Sequence, residues 1–128
     1  MANASATEKS LYVRLGGYDV IAAIVDEFIQ TLMSDPGMAR FASTMSLESR
    51  RRNRQLTIDY LAAKSGGPTL YLGRDMKTAH EGLGINESEW NVAMGHVQRA
   101  LVKLKVPERE SKELLALFTD LKDQIVER

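Results

Sequence analysis

The residues able to do chemistry concentrate in Gly73-Arg74-Asp75-Met76-Lys77-Thr78-Ala79-His80-Glu81-Gly82-Leu83-Gly84-Ile85, which holds one of the two histidines in the chain. A histidine at the end of a short helix, held against an apolar surface and stopped by glycines, can offer one imidazole nitrogen to a metal. The same spacing fits a surface histidine near a helix C-terminus, where the helix dipole favours its protonated form. Asp75 stands where a cap belongs, and Met76, four residues before His80, shares its helix face. With no cysteine, disulfides, thiolate metal sites and a cysteine nucleophile are excluded. His96 lies mid-helix beside Met94 and Val97 and reads as structural.

The chain of 128 residues fits one domain, with residues 1–9 as a frayed tail and residues 10–128 as the folded unit. Seventeen basic and seventeen acidic residues give a formal net charge of zero, which argues against a general nucleic-acid or membrane-surface binder. No apolar run approaches the roughly 18 residues needed to span a bilayer, and the first nine residues do not read as a secretory signal. A soluble, monomeric protein of a reducing, cytoplasmic compartment is expected.

The elements that must position His80 are helical. Ile21, Ile24, Val25, Phe28, Ile29 and Leu32 recur at three- and four-residue steps, predicting a helix from about Tyr18 to Met33, stopped by Ser34-Asp35-Pro36-Gly37. Met38, Phe41 and Ala42 suggest one short turn. Ser46 caps a helix from about Leu47 to Lys64. Its first half, Arg50 to Gln55, is almost wholly polar, and Gly66-Gly67-Pro68 ends it. Asn86 and Glu89 have the capping-box spacing and launch a helix with Trp90, Met94, Val97, Leu101 and Leu104 on one stripe. Pro107 suits the first turn of a last helix carrying Leu114, Leu117, Phe118, Leu121 and Ile125. There is no strand alternation. The fold class is all-α, with four substantial helices plus short ones. The glycine-rich loop from Lys64 to Arg74 is long for a helix connection and points to function.

In this order the chain resembles the group I truncated haemoglobins, which are two-over-two helical globins. The matching pieces are Leu15-Gly16-Gly17, Asp26-Glu27-Phe28, Asp35-Pro36, Gly66-Gly67-Pro68, Tyr71-x-Gly73-Arg74-Asp75-Met76, Ala79-His80-x-Gly82-Leu83-Gly84-Ile85 and Gly95-His96. They span about Leu11 to Val126. The phrase around His80 is the specific one, since glycine pairs alone are weak.

The resemblance implies a truncated globin fold, a two-over-two sandwich, holding haem b, with His80 as proximal iron ligand and its other ring nitrogen donating to a nearby carbonyl. It places Met76, Phe28, Phe41, Leu61, Val97, Leu114 and Phe118 around the haem. Tyr71 falls near the haem edge, and Arg74 and Lys77 are the nearest bases for the propionates. The apolar members would be core residues without any haem, and Arg74 and Lys77 would equally suit a solvated surface. Where the family usually has a tyrosine that donates to bound oxygen, this chain has Ile29. Counting back from Gly66-Gly67-Pro68 puts Asn53 and Thr57 at the ligand-facing distal positions, with Gln55 as a further donor. Counting forward from Phe41 gives Arg50 and Arg54 instead. The backward count is preferred because it avoids burying two arginines. Ala42 falls where a phenylalanine usually wedges the haem.

The function so implied is reversible binding of O2, NO or CO, with oxygen transport, at five-coordinate iron. Nitric oxide dioxygenation is a further activity of the resemblance. It needs an external reductase, because no nucleotide-binding motif is present. The rival reading is a globin-derived helical module that holds haem weakly or not at all and acts through protein contacts. Ile29, Ala42 and the Arg50–Arg54 run motivate it.

Overall fold

The computed structural model describes residues 9–43 and 45–127. The tail expected over residues 1–9 lies outside them except for Lys9. The helices are α1 (Leu11–Leu15), α2 (Tyr18–Ser34), a 3-10 turn (Ala39–Phe41), α3 (Leu47–Lys64), α4 (Met76–His80), α5 (Glu87–Lys103), α6 (Glu108–Thr119) and α7 (Lys122–Ile125). No strand occurs among the described residues. None of these helices is long and apolar enough to cross a membrane.

The caps explain where the helices start. Ser10, Ser46, Asp75 and Asn86 each accept a backbone N–H from the first turn of the helix that follows. Asn86 and Glu89 complete the expected capping box. Pro107 stands one residue outside its helix, at the cap, rather than within the first turn. The last apolar stretch is two helices, not one. Leu121 N–H donates to Phe118 O and Gln124 N–H to Leu121 O, so the chain tightens from four-residue to three-residue steps at that point.

α2 is the central plank. It packs against α3 on one side and α5 on the other, and α6 packs against α5. The core forms where these helices meet, from Ile21, Ile24, Val25, Ile58, Leu61, Ala62, Val97, Leu101 and Leu114, with Leu11 and Leu15 of α1. α1 ties distant segments together. Tyr12 N–H donates to Ser65 O at 2.8 Å. Arg14 bonds Glu110 at 2.8 Å and Glu113 at 2.7 Å. That guanidinium holds the Glu113 carboxyl below the usual carboxylate range.

Candidate functional site

α4 is a single helical turn, too short to stand alone and therefore dependent on its ends. At its start the Asp75 carboxylate accepts the Thr78 N–H. Hydrogen bonding, first from the Thr78 side chain, lowers the Asp75 pKa. At its end His80 is half-buried. Its Nδ1 lies 2.9 Å from Met76 O. A carbonyl only accepts, so Nδ1 carries a hydrogen and donates it. No described residue hydrogen-bonds Nε2. The ring is thus oriented by the backbone, with Nε2 left without a described partner.

The loop before α4 builds a polar rim. The Tyr71 hydroxyl donates to Arg74 O, and its ring meets the Tyr60 ring edge-on at 5.1 Å. Desolvation raises the pKa of both phenols, so both remain O–H donors at neutral pH. Gly73 allows this folding-back: a Cβ there would lie 2.4 Å from the Tyr71 oxygen. Arg74 and Lys77 are exposed.

Each of the four long helices brings an apolar side chain that stays half-buried against the core: Phe28 and Ile29 on α2, Tyr60 on α3, Met94 on α5 and Phe118 on α6. Each packs on the core and stays partly exposed. Leu61, Val97 and Leu114 differ. They are sealed in the core at 3%, 1% and 1% exposure, behind that layer rather than at its surface. Phe41 and Ala42 are half-buried beside the 3-10 turn.

On α3 the residues expected at the distal side separate. Asn53, Thr57 and Tyr60 follow at steps of four and three and share one face. The Thr57 hydroxyl donates to Asn53 O at 2.8 Å, and Asn53 Nδ2 lies 3.6 Å from Met45 Sδ. Gln55 does not join them. Two residues along a helix is a turn of about 200°, which carries Gln55 to the far side. There its amide donates to the Tyr18 hydroxyl at 2.6 Å and to Asp59 at 3.0 Å. Arg54 also faces α2, pairing with Asp26 and lowering that carboxyl's pKa. Arg50 donates to Ala42 O. Arg54 is thus held against α2 by its pairing with Asp26.

His96 is buried, and both its nitrogens are engaged: Nε2 donates to Asp35 at 2.9 Å and Nδ1 accepts from Arg99 at 3.0 Å. It lines a cleft of about 440 Å3 between α2 and α5, with Glu27, Thr31, Ser34 and Lys103. The hydroxyls of Thr31 and Ser34 bond backbone carbonyls, and Lys103 pairs with Glu27. His96 is thus held between Asp35 and Arg99, the arrangement of a structural histidine.

Arg40 and Glu127 carried no sequence signal that would place them beside His80. They reach the turn after it across 43 to 45 residues, and no local pattern reveals such partners. Among the described residues there is no cluster of three or more His, Cys, Asp or Glu able to hold a metal. A metal at this site would need most of its ligands from a cofactor.

Comparison with known proteins bears on the family and the fold. The bacterial-like globin family matches residues 10–127. A group 1 truncated haemoglobin of Mycolicibacterium paratuberculosis is 29% identical over 116 residues, covering 91% of this chain and 83% of that protein. Among solved structures, the Fe(III) form of the truncated haemoglobin of Tetrahymena pyriformis superposes with a TM-score of 0.84 at 20% identity, over 94% of this chain and all of that one. The 2/2 haemoglobin of Synechococcus sp. PCC 7002, with covalently attached haem, gives 0.84 at 21% identity over the same shares. The all-helical, two-over-two arrangement expected from the sequence is the fold of these proteins, and the chain belongs to the bacterial-like globins, among the group 1 truncated haemoglobins.

Proposed function

We propose that the chain binds haem b through His80 Nε2 and uses it to bind a diatomic gas, O2, NO or CO, reversibly. The observation that carries this is the half-buried His80, its Nδ1 bonded to Met76 O at 2.9 Å and its Nε2 without a partner among the described residues. That is the donor set a haem iron takes from a globin: one neutral imidazole, fixed in tautomer by a backbone carbonyl. Bound there, the iron supplies an open coordination position for the gas.

The chain's own residues do the rest. Phe28, Ile29, Tyr60, Met94 and Phe118 provide apolar surface that excludes water, with Leu61, Val97 and Leu114 packed behind them. Met76 shares the His80 face and presses from the proximal side. Tyr71 closes the rim against Tyr60. Arg74 and Lys77, both exposed, meet the propionates, each pair contributing about 1 kcal/mol or less because solvent screens it. Phe41 covers the edge from the 3-10 turn. Asn53 and Thr57 share the α3 face toward the gas side, with their donors engaged by Met45 Sδ and Asn53 O. Gln55 lies on the far face, bonded to Tyr18 and Asp59. Nitric oxide dioxygenation with an external reductase is the lesser reading, since Ile29 offers no donor to hold oxygen in place.

Haem titration of the apoprotein tests the proposal. A Soret band at one haem per chain is expected, and His80→Ala should lose the proximal-histidine signature of the ferrous spectrum. Absence of the band in the unmodified protein would instead favour a helical module acting through protein contacts. An unchanged spectrum in His80→Ala would remove His80 from the iron.

A further inference from the structure

Two side chains remote in sequence hold the turn from Glu81 to Ile85. Glu127 Oε2 accepts the Gly82 N–H at 3.0 Å, and Oε1 accepts the Gly84 N–H at 2.7 Å. The Glu127 N–H in turn donates to Ile85 O at 2.8 Å. From another element, Arg40 Nη1 donates to Leu83 O at 3.2 Å. Arg40 is itself fixed: its Nη2 bonds both Glu89 oxygens, at 3.0 and 2.9 Å, and its guanidinium lies 4.0 Å from the Phe41 ring centroid. Glu89 is anchored in the α5 capping box. Three successive backbone groups, Gly82 N–H, Leu83 C=O and Gly84 N–H, therefore each meet a charged side chain.

A turn of this sequence would be loose without such partners. Gly82 and Gly84 stand at φ 85° and 67°, where glycine is free of strain but also free to leave. What the turn does next bears on His80. The Leu83 N–H donates to His80 O at 3.2 Å, so the turn closes the C-terminal end of α4. Asp75 secures the start of that helix, but its own side chains do not secure the end. α4 also packs on α7, the helix that leads into Glu127.

We propose that Glu127, with Arg40 opposite, is a positioning residue that clamps the 81–85 turn and sets how the His80 imidazole meets the haem iron. This rests on the haem-binding reading above. The clamp lies on the His80 side and touches none of Ile29, Asn53 or Thr57. It acts through the orientation and freedom of one ring, not through the gas.

Glu127→Gln and Glu127→Ala test it in two states of the full chain. In the apoprotein, amide hydrogen exchange at Gly82 and Gly84 should accelerate about tenfold or more in Glu127→Ala, as expected for losing bonds to a charged acceptor. Glu127→Gln should fall between, because its amide keeps one acceptor oxygen and turns an NH2 toward the other N–H. Core amides such as Ile58 and Val97 should exchange as before. In the ferrous haem protein, the iron–histidine stretching band in resonance Raman should shift or broaden in Glu127→Ala, and haem should pass to an acceptor apoglobin about tenfold faster. Unchanged exchange at Gly82 and Gly84 would overturn the clamp. Faster exchange with an unmoved iron–histidine band would overturn its role toward His80. Should Glu127→Ala not fold, the near-isosteric Glu127→Gln decides alone. An unmodified protein that takes up no haem would sink the haem reading, and with it the role toward His80, whereas the exchange data would still judge the clamp.

Discussion

At the position after Phe28 the chain presents only the methyl and methylene groups of Ile29, half-buried on α2. With haem in place, oxygen would meet no hydroxyl there, and Asn53 and Thr57 are already engaged with Met45 and with each other. Ile29→Tyr restores a donor. A hydrogen bond to a partly charged acceptor is worth about 1.5–3 kcal/mol, so oxygen release should slow roughly tenfold to a hundredfold by stopped-flow, with carbon monoxide affected much less. Equal release rates would show that the donor comes from elsewhere. His80 stood out in the sequence because its neighbours form a specific phrase. The direction of Gln55 did not, because sequence offered a donor near the right count while the helix turned it toward Tyr18. A distance along the chain says which residues are near a site. Only the helical phase says which of them face it.

The helices themselves were legible where local chemistry decides them. Ser46, Asp75 and the Asn86–Glu89 box start helices at the residues expected of them. Asn86→Ala should lower stability by about 1 kcal/mol, seen as a melting point lower by a few degrees. Ile58→Ala, at a side chain with 0% exposure, should cost about 2–5 kcal/mol through the cavity it leaves. Urea titration of both variants would rank them, and a smaller loss for Ile58→Ala would mean that α2 and α3 relax into the space. The break between α6 and α7 was not legible. Leu117, Leu121 and Ile125 keep a four-residue apolar step, and no glycine or proline interrupts it. The chain tightens at Leu121, and Ile125 beyond it is buried.

Across the whole molecule, several carboxylates titrate below their ordinary values: Asp26 beside Arg54, Asp35 beside His96 and the Gly37 N–H, Asp75 at its cap, and Glu113 beside Arg14. A lowered folded-state pKa favours the ionised form. Each therefore adds stability above the unfolded value, 3.8 for the aspartates and 4.5 for the glutamate, and loses it as pH falls through the folded one. Thermal melts from pH 7 downward should stay level and then fall below about pH 4. Asp35→Asn should shallow that fall, and an unaltered slope would show that Asp35 does not share in it. The tie between α1 and α6 has a consequence for how the protein is made. Arg14 leaves the ribosome early, but Glu110 and Glu113 follow almost a hundred residues later. α1 can therefore close on the end of α3 through Tyr12 and Ser65 well before its charged tie to α6 has a partner.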